Sequence, residues 1–226
     1  MRGWTLAFDL DGTLVDTAPD LIGATNFVMR GLGLDAVQES DLRSQISYGS
    51  RHLIATGLKI RGVSKTEAEI DTLLDCMLDY YAENIAVHSR PFEDMVATLD
   101  GFQRDGARLV VCTNKKEDLS RRLLGQLGLD RLFLSIAGRD TFAVCKPDPG
   151  HLTGIIERVG GDPGRAIMVG DSDVDIDTAK AARIPVVGVT FGYSVHPVST
   201  LGADVVVDHY RDLTGAIRGI VGRSAT

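Results

Sequence analysis

The sequence predicts an α/β fold, a parallel sheet with helices on both faces, interrupted near its start by an all-helical insertion. Two observations carry this prediction. Beyond Pro91, short apolar runs bounded by turn residues alternate with helical stretches, and parallel strands need such crossovers. Between about Pro19 and Ala86, helical periodicity continues without a convincing strand. A third observation concerns the site: several apolar runs stop at Asp or Thr, and open α/β sheets bind ligands at the carboxyl ends of their strands.

Taken in order, the run Trp4 to Phe8 is a buried strand that stops at Asp9, and Asp11, Gly12 and Thr13 follow as a tight acidic turn. In the insertion, Leu73, Leu74, Met77, Leu78 and Tyr81 share one helical face. Gly31, Gly33 and Gly62 separate helices, and Ser64 with Glu67 is expected to form a capping box. The GLGLDA stretch follows a helix rather than a strand, so it is not a dinucleotide fingerprint. After Pro91 come a helix over about 93–103, a strand from Leu109 to Cys112 ending in Thr113 and Asn114, and a helix closing near Gly128. A strand over Leu132 to Ala137 precedes the loop that carries Cys145, Lys146, Pro147, Asp148 and Pro149. A helix to about Val159, strands at Ala166 to Val169, Val186 to Val189 and Asp204 to Val207, and a C-terminal helix complete the pattern.

The chain has 226 residues, 44% hydrophobic and 24% charged, which suits one large domain or a medium domain with an insertion. Its net charge of −7 argues against a nucleic-acid surface or a basic membrane-facing helix. Neither nucleic acid nor membrane is expected as a partner, and the protein is read as cytoplasmic. Cys76, Cys112 and Cys145 lack metal-type spacing and are expected to be reduced thiols.

Alternation along an extended segment places Asp9 and Asp11 on one side, and two crowded carboxylates raise a pKa or demand a cation. Asp171, in VGDSDVD, stands at another strand end and should meet them there. Three carboxylates in one site fit Mg²⁺ better than zinc. Asp173, Asp175 and Asp177 fall in the first turns of the next helix, where acids also stabilise the helix dipole. Thr113 and Asn114 offer donors beside a helix N-terminus, and Lys146 is a cation in a loop otherwise short of them. An aspartate nucleophile, a metal, a hydroxyl donor and a lysine are the parts needed to transfer a phosphoryl group through an aspartyl-phosphate.

The order DLDGT, strand-ending threonine, Lys-Pro and GDSDVD resembles the haloacid dehalogenase-like hydrolase superfamily over nearly the whole chain. Within it, FDLDGTLVDTAPDL, VVCTNK, KPDP and GVTFGYS followed by GAD are most similar to the phosphoglycolate phosphatase-like group. The resemblance implies a Rossmann-like core over residues 1–16 and 88–226 and a helical cap over 17–87, hinged near Val15 to Pro19 and Asn84 to Phe92. It implies Asp9 as nucleophile and Asp11 as general acid and base. Asp9, the main-chain carbonyl of Asp11 and Asp171 would hold Mg²⁺, with Asp175 in support. Thr113, Asn114 and Lys146 would bind the phosphoryl group.

A cap loop of Ser47, Tyr48, Gly49, Ser50 and Arg51 would face the leaving group, with Ser47 standing where many relatives have a second glycine. Arg51 has the geometry to pair with a carboxylate. The implied function is hydrolysis of a small phosphorylated metabolite, 2-phosphoglycolate first. Asp11 favours phosphate esters, because relatives that cleave carbon–halogen bonds or phosphonates lack an acid two residues after the nucleophile. A sugar-phosphate phosphatase or mutase, an inorganic pyrophosphatase and a non-catalytic phospho-acceptor switch remain as alternatives. Asp11 and the cap stand against the switch.

Overall fold

A computed structural model describes residues 1–223. The chain enters through β1 (Thr5–Phe8), all four residues of which are buried, as a central parallel strand requires. The two-residue strand β2 (Val15–Asp16) leads into the helices α1 (Ala18–Gly31), α2 (Glu39–Leu42), α3 (Ser50–Ile60) and α4 (Glu67–Glu83). The chain returns through β3 (Arg90–Pro91), antiparallel to β2, with Val15 opposite Pro91 and Asp16 opposite Arg90. There follow α5 (Met95–Arg104), β4 (Arg108–Cys112), α6 (Glu117–Gln126), β5 (Ser135–Ala137) and α7 (Pro149–Arg158). The described residues close with β6 (Ala166–Gly170), α8 (Asp173–Ala181), β7 (Val186–Val189), β8 (Val205–Val207) and α9 (Tyr210–Arg223).

Six strands form one parallel sheet in the order β5, β4, β1, β6, β7, β8. Phe8 lies opposite both Val111 and Val169, so β1, β4 and β6 end side by side. The residues that follow them are therefore delivered to one edge. Side-chain alternation splits the core: Leu6 and Phe8 join one apolar cluster, and Ala7 joins the other with Val110, Cys112 and Met168. Helices α5 and α9 cover the first face and α7 and α8 the second.

In the insertion α1, α3 and α4 pack on one another. Met77 and Tyr81 of the expected apolar face are buried, and Leu73, Leu74 and Leu78 pack against the same cluster. The carboxylate of Asp20 accepts from the backbone N–H of His88 and Ser89 and from the Ser89 hydroxyl, which ties α1 to the returning chain.

The structure differs from the sequence pattern in three places. The capping box belongs to Thr66 and Glu69, two residues beyond Ser64 and Glu67, and Lys65 pairs with Glu69 to reinforce it. The expected strand over Leu132 to Ala137 is confined to Ser135–Ala137, because Asp130–Leu132 makes a 3₁₀ turn. The β2–β3 ribbon is a new element, two residues per strand. The three cysteines are free thiols, and among the described residues no helix is long and apolar enough to cross a membrane.

Candidate active site

The site begins where β1 and β6 end. The backbone N–H of Asp9 donates to the carbonyl of Val169 at 3.0 Å, which holds Asp9 beside the strand that delivers Asp171. Carboxylate oxygens of Asp9, Asp171 and Asp175 lie within 4.8 Å of one another. Asp171 is fixed by the Thr13 hydroxyl at 2.9 Å and the Tyr193 N–H at 2.7 Å. Asp175 accepts from the N–H and hydroxyl of Ser172 while capping α8, and it pairs with Lys146 at 2.5 Å. Lys146 Nζ also stands 3.0 Å from Asp9 Oδ1. The loop is close-packed. Gly12 has φ of +84°, and a Cβ there would fall 2.6 Å from Asp171 Oδ2, so only glycine fits.

Three buried carboxylates against one ammonium leave two negative charges in excess. Burial pushes the Asp9 carboxyl up to about 6, with Lys146 opposing and Asp175 and Asp11 adding to the rise. Burial, Asp175 and Asp9 also raise Asp171 well above the carboxylate range. Burial alone would depress Lys146, but Asp175 and Asp9 outweigh it and the ammonium is held charged. Asp9 Oδ1 is buried and accepts no hydrogen bond of ordinary geometry. A hard divalent cation fits this donor set: all oxygen, two charges short, with one carboxylate oxygen held only by its ion pair with Lys146.

Asp11 departs from expectation. Its carboxylate is outside that cluster and is held instead by Lys115, whose Nζ is 3.1 Å from both oxygens, and by the Thr17 hydroxyl at 2.7 Å. The strand ends at Phe8, so strict alternation no longer governs residue 11. The third carboxylate of the cluster is Asp175, expected only in support. Thr17 is free to hold Asp11 because the Tyr193 hydroxyl does its capping work, accepting the N–H groups of Thr17 and Ala18 at 2.7 and 2.9 Å. Tyr81 of α4 lays its ring 4.5 Å from Lys115 Nζ. Asp11 and Tyr81 overcome the effect of burial and keep Lys115 charged, whereas burial pushes the Tyr81 phenol up to about 12.

Thr113 is buried at the end of β4, where its hydroxyl accepts from the N–H of Lys115. The Asn114 amide donates to the main-chain carbonyl of Lys146 at 2.9 Å and so joins two loops of the site. Asp9, Asp11, Thr113, Asn114, Lys146 and Asp171 line one cavity of about 370 Å³, together with Ser47 to Arg51 from the insertion. Arg51 is engaged by Glu67 and by Asp71. Asp173 accepts from the N–H of Val174 and Asp177 is exposed, which fits helix capping and solvation. Lys115 and Tyr81 are site residues that the sequence pattern misses, Tyr81 reading there as part of an apolar helical face. The available signals were a lysine directly after a strand-ending Thr-Asn and a tyrosine on an otherwise aliphatic face.

A parallel core with an acid cluster at its carboxyl edge, covered by an inserted helical unit, is the architecture of a capped Rossmann-like hydrolase. The chain belongs to the haloacid dehalogenase-like hydrolase family, whose model matches residues 6–189. It is 46% identical over 209 residues to a phosphoglycolate phosphatase of Mesorhizobium japonicum, covering 92% of each chain. It is 34% identical to an N-acetylmuramic acid 6-phosphate phosphatase of Pseudomonas aeruginosa, covering 94% of each. A crystal structure of a predicted phosphoglycolate phosphatase from Haemophilus somnus superposes with a TM-score of 0.88 at 28% identity, covering 96% of this chain and 98% of that one.

Proposed function

We propose that the protein is a Mg²⁺-dependent phosphatase that hydrolyses a small phosphate monoester, 2-phosphoglycolate first, through an aspartyl-phosphate on Asp9. The observation that carries this reading is Asp9 Oδ1: a buried carboxylate oxygen without a hydrogen bond, beside a charged lysine, on the wall of a cavity. The named phosphoglycolate phosphatases, 41–46% identical over most of the chain, support the substrate.

Asp9 attacks phosphorus in line with the leaving oxygen, forming the Asp9 O–P bond as the ester P–O bond breaks. Lys146 and the Thr113 hydroxyl hold the phosphoryl oxygens, and Asn114 keeps the Lys146 loop in register. Asp11, ionised beside Lys115 in the free protein, takes up a proton from solvent as substrate binds, gives it to the departing alkoxide, and then takes one from the water that hydrolyses the acyl phosphate. Asp9, Asp171 and the main-chain carbonyl of Asp11 would hold Mg²⁺, with Asp175 beside them. When bound, the ion supplies positive charge that favours ionised Asp9 and offsets the phosphoryl oxygens. The helical insertion over 17–87 acts as a cap that turns on the β2–β3 ribbon and excludes water during the reaction.

A second reading, a sugar-phosphate phosphatase, is favoured by the N-acetylmuramic acid 6-phosphate phosphatase relative. A phosphatase screen over small phosphorylated metabolites, with and without Mg²⁺, separates the two. Turnover of 2-phosphoglycolate above all other esters, only with Mg²⁺, is expected. A hexose phosphate as best substrate selects the second reading, and the absence of any phosphatase activity overturns both.

A further inference from the structure

We propose that Lys115, backed by Tyr81, recognises a negatively charged leaving group and so makes the site selective for phosphate esters whose alcohol carries a carboxylate. The inference rests on the phosphatase reading and names a determinant of its substrate. Two buried lysines serve this cavity, and their neighbours differ. Lys146 lies against Asp9, on the side where the phosphoryl group is attacked. Lys115 holds both oxygens of Asp11, the residue that must meet the leaving oxygen, so its ammonium is next to the alcohol. In a glycolate-sized alcohol only one carbon separates the ester oxygen from the carboxylate. Whatever reads that carboxylate must therefore adjoin the proton donor.

Four further observations favour Lys115. Its side chain is only 6% exposed, yet it lines the cavity. Tyr81, which covers it from the cap, has a buried hydroxyl that faces the Lys115 ammonium and donates to no protein group, so its proton can turn to a carboxylate. Arg51, the cap arginine with suitable chemistry, has a side chain 39% exposed among the exposed acids Glu67 and Asp71, where solvent weakens its discrimination. Lys116 and Arg139 also line the cavity but are exposed, and a solvated cation discriminates weakly. Because Lys115 starts paired with Asp11, a substrate carboxylate exchanges one anionic partner for another. Asp11, released from the ammonium, then takes up from solvent the proton that it gives to the leaving oxygen.

The test compares kcat/KM for 2-phosphoglycolate with that for 2-hydroxyethyl phosphate, which replaces the carboxylate by an uncharged group. Wild type should prefer 2-phosphoglycolate. Lys115→Gln should cut that preference by about 10- to 100-fold, as expected for loss of a charge-assisted contact, and Lys115→Arg should restore most of it. Any general damage to Asp11 cancels in the ratio. Tyr81→Phe removes a hydroxyl that donates to no protein group, so it keeps the fold, and it should lower the ratio about 3- to 10-fold. Equal losses on both esters in both variants would overturn the proposal, as would a ratio that answers to Arg139→Ala instead. A wild type that hydrolyses the two esters equally overturns it while leaving the phosphatase reading intact. One that hydrolyses neither overturns both.

Discussion

Lys146 and Lys115 reach one cavity from neighbouring loops at the sheet edge, yet they meet opposite electrostatic situations. Around Lys146 three buried carboxylates outnumber one ammonium, and an Asp9 oxygen has no hydrogen bond. Around Lys115 one carboxylate faces one ammonium at equal distances, with an aromatic ring covering the pair. The first region is incomplete in charge and calls for a cation. The second is balanced, and it can respond to a ligand only by exchanging partners. Two lysines with similar burial thus take different tasks because of the number of acids around each.

The largest effect should come from the nucleophile. Asp9→Asn is expected to lower kcat by at least about 10⁴-fold and to abolish phosphate incorporation from substrate, read by rapid quench with labelled ester. Activity near wild type would remove the acid-rich region from the chemistry.

Next comes the lysine that partly balances it. Lys146→Met should reduce kcat by about 10²- to 10³-fold, because it removes a preorganised charge from the transferring group. It also leaves the Asp9, Asp171 and Asp175 carboxylates without their ammonium, a loss of about 3–5 kcal/mol for a broken buried pair. Mg²⁺ should restore part of that stability, read as a larger Mg²⁺-induced rise in Tm than in wild type. A variant as stable as wild type without Mg²⁺ would mean that the carboxylates are not mutually opposed.

The smallest effect concerns how far the Lys146 charge reaches. His151 is fully buried, bonded to the Gly138 carbonyl and beside Cys112, and burial with the Lys146 charge depresses its pKa to about 4. Between pH 6.5 and 4 the unfolded chain therefore binds more protons at this residue than the folded one does. Stability should fall as pH drops through that window, by up to about 3 kcal/mol from this group. Urea titrations across the window should show a flatter profile for His151→Gln; an unchanged slope would show that His151 is protonated in the folded state.

Much of this architecture was legible because its signals are long or steric. Continuous apolar runs ending in Asp or Thr marked β1, β4 and β6, and a parallel sheet necessarily brings such ends to one edge. Failures came from patterns too short or too symmetric to decide. Ser64 to Glu67 and Thr66 to Glu69 both satisfy the capping-box spacing, and the structure uses the second, which Lys65 reinforces through Glu69. The β2–β3 ribbon has two residues per strand, below any periodic signal. Alternation would set Asp11 beside Asp9 only if the strand continued, and it ends at Phe8, three residues earlier. Lys115 reads in sequence as one more solvated lysine, and only the fold sets it over Asp11 and beneath Tyr81.

The most direct test of the contrast between the two regions is Mg²⁺ binding by isothermal titration calorimetry in wild type, Asp171→Asn and Asp11→Asn. Asp171→Asn should weaken Mg²⁺ by tenfold or more, roughly what a lost carboxylate ligand costs. Asp11→Asn keeps its main-chain carbonyl and should bind within about threefold of wild type. The reverse order would place the ion with Asp11 and contradict the charge-deficient cluster of Asp9, Asp171 and Asp175.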